Sequence, residues 1–389
     1  MFLWITGTGL GWYYYYVFAE ALVVILCCCG SVFAACDCFG GFIICVISFV
    51  FSLQMFASDD VWSCIPVGVK PNLGEFISTL FQSKADSKSR RYKKEILKFI
   101  EFCNSSNFQP GPPFPVTFIV VYLFKVYQSS NSYASQVMAH AALKWFHSFD
   151  LSNGANPLDS SICHNLLEAA RRNKPVTVKK APISAEIIKD IIDKFAGSSA
   201  NFKDIRVDCI CSIGFAGFFR YNELSNIAPR HLEFFPDHLR VFVPRAKNDI
   251  YREGNYVYIK RLDSKYCPVA LLERHISMCN IELLSSVALF RPVRLFMSTI
   301  TYKLYGVKLS YTRCREIFKE CLKEIGVDHK LYGLHSLRAG GATSAVSYNP
   351  SLSERVLKLH GRWKSDTAKD MYIQEDISER LQLTSQLGL

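Results

Sequence analysis

From Ser87 to about Asn173, apolar residues recur at helical spacing among charged and polar ones. The basic run Ser87-Lys-Ser-Arg-Arg-Tyr-Lys-Lys leads into Glu95-Ile-Leu-Lys-Phe-Ile-Glu-Phe, a helix that must end before Pro110, Pro112, Pro113 and Pro115. Further helices are predicted over about 117–127, 132–148 and 159–173, and a four-helix bundle is the simplest way to bury their apolar faces. Beyond Ala181 the pattern changes. Ser184 and Glu186 form a helix start signal, and a long apolar helix is expected over about 204–219. Alternating runs at 238–244 and 256–261 predict two strands around a turn-rich loop, and from Pro268 nearly to the C-terminus the pattern is again helical.

These patterns predict a mainly α chain with a small antiparallel β-sheet, an α+β arrangement. A helical domain over residues 87–175 and a second domain over 181–389 are joined by the basic stretch Arg171-Arg-Asn-Lys-Pro-Val-Thr-Val-Lys-Lys, where Pro175 stops the helix. Residues 58–86 read as a linker.

Residues 1–57 stand apart. They hold two charged side chains, Glu20 and Asp37, and no Lys or Arg. Two apolar stretches, about 11–33 and 39–56, each approach the length of a bilayer span. The basic residues that normally flank such spans are missing, since the first is Lys70, and the positive start of a secretory signal is missing too. The segment is read either as a membrane segment or as an artefact of the gene model.

Charge narrows the function of the rest. The 389-residue chain carries a net +11, with 45 Lys and Arg against 34 Asp and Glu, which suits an anionic partner without choosing between nucleic acid and anionic lipid. Nine of the fifteen cysteines lie beyond residue 57 and form no Cys-x-x-Cys pair, so no metal site is expected and buried free thiols are the simpler reading of Cys209 and Cys211. A reducing, intracellular compartment fits that usage.

In the second domain, polar side chains interrupt otherwise apolar elements. Arg220 ends an apolar helix in Phe218-Phe-Arg-Tyr-Asn-Glu-Leu, and Glu223 is its natural partner, because a buried cation needs an anion. Lys247 lies between the two predicted strands. His335 and Arg338 share a helix face in Leu334-His-Ser-Leu-Arg, and Trp363 and Tyr372 follow in His360-Gly-Arg-Trp-Lys-Ser-Asp-Thr-Ala-Lys-Asp-Met-Tyr. Singly, each has a bland reading: a surface charge, a solvated lysine, a core histidine, a half-buried aromatic.

Together, in this order, they resemble the tyrosine recombinases, the family that includes phage integrases. Arg220-x-x-Glu-Leu, Lys247, His335-x-x-Arg338, Trp363 and Tyr372 nine residues later match its successive boxes, and Cys267-Pro-Val-x-x-Leu is similar to the helix after the family's hairpin. The wording around the boxes is most like that of eukaryotic mobile-element recombinases of the DIRS and crypton type. The resemblance spans about residues 90–389.

It implies a helical core-binding domain (87–175) followed by a catalytic domain (181–389). It also implies cleavage and rejoining of DNA through a 3′-phosphotyrosine at Tyr372, with no metal, ATP or other cofactor. Arg220 and Arg338 would clamp the phosphate oxygens, and His335 and Trp363 would add hydrogen bonds. Lys247 would protonate the leaving oxygen and Glu223 would orient Arg220. His360 is the alternative to Trp363, which is preferred because the count back from Tyr372 is nine. Double-stranded DNA is the implied partner, contacted by Arg90, Arg91, Lys93, Lys94, Arg171, Arg172, Lys179 and Lys180, in a homo-oligomer, a tetramer on two duplexes. A nuclear location is expected, and membrane association only through residues 1–57. A DNA-binding protein that keeps the fold without cleaving, and a topoisomerase-like relaxing enzyme, are the rival readings.

Overall fold

The computed structural model describes residues 72–106, 114–130, 132–149, 154–176, 178–246, 253–296, 301–304 and 306–374, with a few isolated positions besides. The apolar stretches of residues 1–57, and Lys247, lie outside the described residues. No described helix is long and apolar enough to cross a membrane. The described residues form two compact units, one ending in the basic stretch and the other beginning at Val178.

The first unit is helical: α1 (Leu73–Phe81), α2 (Asp86–Ser105), α3 (Val116–Ser130), α4 (Tyr133–His147) and α5 (Ser161–Arg172). Four of these match the predicted helices. α1 falls in the stretch read as a linker, where Leu73-Gly-Glu-Phe-Ile-Ser-Thr-Leu-Phe has apolar residues at helical spacing and Asn72 caps the first turn by accepting from Glu75 N at 3.1 Å. An aromatic core of Tyr92, Phe99, Phe114, Tyr122, Trp145 and Phe146 joins α2, α3 and α4. Beside it the largely buried carboxylate of Glu95 accepts from Tyr122 Oη at 2.9 Å and pairs with Lys98 at 3.1 Å.

The second unit is built around α7 (Phe202–Ala216), which follows α6 (Ala185–Phe195). Every residue from Ile205 to Gly214 is buried, so α7 is covered on all sides and serves as the axis of the unit. Asn201 and Asp204 close a reciprocal capping box at its start. A single turn, α8 (Tyr221–Leu224), leads to a three-stranded antiparallel sheet of β1 (Leu232–Phe234), β2 (His238–Val243) and β3 (Asn255–Lys260). Leu239, Val241, Val243, Val257 and Ile259 point into the core, as the alternation demands.

α9 (Pro268–Met278) comes next, and here the helical expectation fails. Asn280 takes a positive φ of 47°, and β4 (Val293–Phe296) pairs with β5 (Thr301–Leu304) in a second antiparallel sheet. The sequence of this stretch is rich in β-branched and aromatic residue types, which favour strands over a helix. The unit closes with α10 (Tyr311–Glu324), α11 (Leu334–Tyr348), α12 (Glu354–Gly361) and α13 (Asp366–Asp370). α10 and α11 both pack on α7. The approach of α11 depends on Gly340 and Gly341: a Cβ there would stand 2.0 Å from the Ile183 carbonyl oxygen and 2.2 Å from that of Phe215. The described cysteines are free and buried, Cys209 and Cys211 among them, in line with the sequence reading.

Candidate active site

Three turns of the second unit converge. The first joins α7 to α8 through Gly217-Phe218-Phe219-Arg220, the second is the N-terminal half of α11, and the third runs from the end of α12 through Trp363 to Tyr372. Two of these turns hold non-glycine residues in the left-handed region, Phe218 at φ 47° and Arg362 at φ 55°. Each such residue costs roughly 1 kcal/mol or more and persists only where surrounding contacts fix it.

The contacts that fix them come from guanidinium groups. Arg338 is fully enclosed, at 0 % exposure, and donates from its two Nη atoms to the carbonyl oxygens of Phe218 and Gly361. Its guanidinium lies 4.4 Å from the centre of the Trp363 ring and 4.8 Å from that of Tyr372. Arg220, at the start of α8, donates from Nη1 to Glu223 Oε1 at 2.8 Å, and its backbone N–H donates to Oε2 at 3.0 Å. The Arg220 guanidinium is 6.0 Å from the Tyr372 ring centre. Tyr372 therefore sits beside two cations that the chain brings from separate segments. The Tyr372 ring is 5.6 Å from Trp363, and its carbonyl oxygen accepts from Thr343 Oγ1 at 3.3 Å.

Glu223, 1 % exposed, is the anion of the site. Besides Arg220 it accepts from Arg362 Nη2 at 2.7 Å, and Arg338 Nη1 stands 3.9 Å away. Burial resists its ionisation, and the charges of Arg362, Arg338 and Arg220 with the Arg220 N–H outweigh burial and hold its carboxyl below the usual carboxylate range. For Arg338, burial and the neighbouring charges of Arg220 and Arg362 lower the guanidinium to about 9.

The predicted residues divide as follows. Arg220, Glu223, Arg338, Trp363 and Tyr372 come together. His335 is exposed on the first turn of α11, three residues before Arg338. His360 is engaged by the scaffold: its Nε2 lies 2.8 Å from the Ala216 carbonyl oxygen, its ring stands edge-on to Phe218, and burial holds the imidazole below its ordinary pKa. Trp363 Nε1, by contrast, is buried with no acceptor among the described residues.

Of the candidate DNA contacts, Arg90, Arg91 and Lys94 are exposed on α2, and Lys93 lies 4.5 Å over the Phe81 ring. Arg171 and Arg172 are exposed at the end of α5, 3.6 and 3.1 Å from Glu168. Lys179 and Lys180 are exposed at the start of the second unit, and Lys180 Nζ donates to the Lys330 carbonyl oxygen.

Sequence reasoning missed Arg362. Its position directly before Trp363 is the only signal, and an arginine between a glycine and a tryptophan reads as a surface charge.

The fold is that of the tyrosine recombinases: a mostly helical chain with a small three-stranded antiparallel sheet. Among solved structures, the XerH site-specific recombinase bound to palindromic difH substrate, in a post-cleavage complex, superposes with a TM-score of 0.55 at 15 % identity. That match covers 77 % of this chain and 79 % of the other. The Tn1549 transposon integrase in complex with transposon right end DNA gives 0.50 at 13 % identity, over 87 % of this chain and 99 % of the other. In sequence, the chain is 26 % identical over 298 residues to the integrase/recombinase xerD homolog of Selenomonas ruminantium, a match covering 76 % of this chain and 84 % of the relative. No family model matches. In fold the chain is thus like the tyrosine recombinases, and in sequence it is similar to an integrase/recombinase.

Proposed function

We propose that the protein is a DNA strand transferase that cleaves and rejoins double-stranded DNA through a 3′-phosphotyrosine at Tyr372. The observation that carries the reading is the convergence of two guanidiniums, Arg220 and Arg338, on the ring of one tyrosine. In this reading Tyr372 Oη attacks phosphorus and the 5′ oxygen leaves. The extra negative charge on the non-bridging oxygens is met by Arg220 and Arg338, with hydrogen bonds from Trp363 Nε1 and His335. Lys247 gives the leaving oxygen its proton, and Glu223 holds Arg220 in place. The linkage conserves the energy of the broken bond, so rejoining draws on no ATP, and the two arginines take the part a metal ion plays elsewhere. The basic residues of α2 and of the 171–180 stretch would track the duplex backbone.

The oligomer proposed is a tetramer on two duplexes. The phrases Lys247-Asn-Asp-Ile-Tyr-Arg-Glu-Gly and His360-Gly-Arg-Trp support a mobile-element recombinase of DIRS or crypton type, working on nuclear DNA.

One observation favours a second reading, DNA binding without cleavage: Arg338 is fully enclosed, at 0 % exposure, so a phosphate reaches its remaining N–H donors only if the surrounding side chains move. The full chain offered a randomised pool of nicked duplexes separates the two. A covalent protein–DNA adduct that is absent from Tyr372→Phe is the expected result. Salt-sensitive binding without an adduct establishes the second reading, and absence of binding overturns both.

A further inference from the structure

We propose that Arg362 is a positioning residue: it clasps the turn that carries Arg220 to the turn that carries Trp363 and thereby sets the register of the reacting groups. The inference rests on the strand-transfer reading and adds to it a residue outside the family's matched boxes.

The argument is geometric. Arg362 Nη1 donates to the carbonyl oxygens of Gly217 at 3.1 Å and His360 at 2.7 Å, and Nη2 donates to that of Phe218 at 2.8 Å and to Glu223 Oε2 at 2.7 Å. One planar group thus joins three acceptors of the 217–223 segment to one in its own turn. The side chain is 2 % exposed and lies 4.9 Å over the Phe219 ring. The backbone is held left-handed at φ 55°, a conformation glycine adopts freely and arginine does not. An arginine kept at such a position is there for its side chain. Lysine cannot substitute, because a single ammonium cannot reach acceptors spread along a planar fork.

The other two cations depend on this clasp. Phe218 O is shared between Arg362 and Arg338, and Glu223 Oε2 between Arg362 and the Arg220 backbone. Without Arg362 the two turns lose their common anchor, and Arg220 and Trp363 shift relative to Tyr372. A displacement near 1 Å at a reacting centre lowers rate by about a hundredfold.

The test uses Arg362→Gly, which accepts the left-handed backbone and leaves a cleft the size of a guanidinium ion, and Arg362→Lys, which keeps the charge. Adduct formation at saturating DNA, DNA affinity and thermal unfolding are measured for both variants and the wild type, with and without guanidinium chloride well below denaturing concentration. The expected result is a fall in adduct rate of about a hundredfold for Arg362→Gly. DNA affinity should stay within about twofold, and added guanidinium should restore the rate. Should Arg362→Gly fail to fold, Arg362→Lys decides between the outcomes, with a rate at least about tenfold down expected. Wild-type rates in the variants overturn the inference and leave the strand-transfer reading standing. So does a loss that follows DNA affinity or unfolding and that guanidinium does not restore. Absence of an adduct from the wild type overturns both.

Discussion

Glu223 Oε2 accepts from Arg362 Nη2 at 2.7 Å across 139 residues of sequence, in a site where Arg220 and Arg338 are also within 4 Å of the same carboxylate. One enclosed anion therefore serves three cations. Glu223→Gln leaves those guanidiniums without a counter-charge, and removing one partner of a buried pair typically costs about 3–5 kcal/mol. Denaturant unfolding should report a loss of that size, with cleavage lost in parallel.

The close approach of α11 to α7 is the second testable feature. Gly340→Ala places a methyl group 2.0 Å from the Ile183 carbonyl oxygen, a backbone atom that cannot swing away. Overpacking of this kind costs about 1–3 kcal/mol. Gly197→Ala, with nothing within 4 Å of its Cβ, is the control and should leave the melting temperature nearly unchanged.

Stability should also depend on pH through α7. Asp208 is fully buried, and neither carboxylate oxygen has a partner among the described residues. Burial, reinforced by Asp204 and opposed by Arg274, raises its carboxyl from 3.8 to about 8. The folded state thus keeps a proton that the unfolded chain releases near pH 4. Stability is fully present below that pH and is lost as pH rises toward 8, at up to about 1.4 kcal/mol per pH unit. His275 acts oppositely: burial first, then Arg206, lowers its imidazole to about 4, so stability falls as pH drops from 6.5 toward 4. Unfolding of Asp208→Asn between pH 5 and 8 should show the first slope removed. An unchanged slope would refute the assignment.

DNA affinity offers a further check on the proposed function. Arg171 and Arg172 are exposed, and their only ion pairs among the described residues are with Glu168. Each one that neutralises a phosphate contributes about 0.9 to the slope of log affinity against log salt. Arg171→Ala with Arg172→Ala should flatten that slope by nearly two, as measured by titration across salt concentrations. An unchanged slope would make them ordinary surface charges.

Much of this was legible in the chain. Most helices of both units followed from apolar spacing, and the start of α6 from Ser184, because capping and amphipathic periodicity are local properties. The β2–β3 pair followed from alternation. α1 and the β4–β5 pair did not: short apolar stretches carry too few periods to separate strand from helix or linker. At the site, the resemblance of the residue order to the tyrosine recombinases nominated Arg220, Glu223, Arg338, Trp363 and Tyr372.

The sequence by itself determined which residue types stand at which spacing, and hence the class of chemistry they suit. The tertiary structure alone decided how their charges are shared. Arg338 reaches Phe218 O across 120 residues and Arg362 reaches Glu223 across 139, and neither contact leaves a periodic trace in the chain. His360 and Trp363, three residues apart, went to different tasks for the same reason. The αL turn at Arg362 aims one at the end of α7 and the other at Tyr372. Local pattern reports what a segment can become, whereas the partner of a buried charge is chosen only when distant segments have packed and water has been excluded between them.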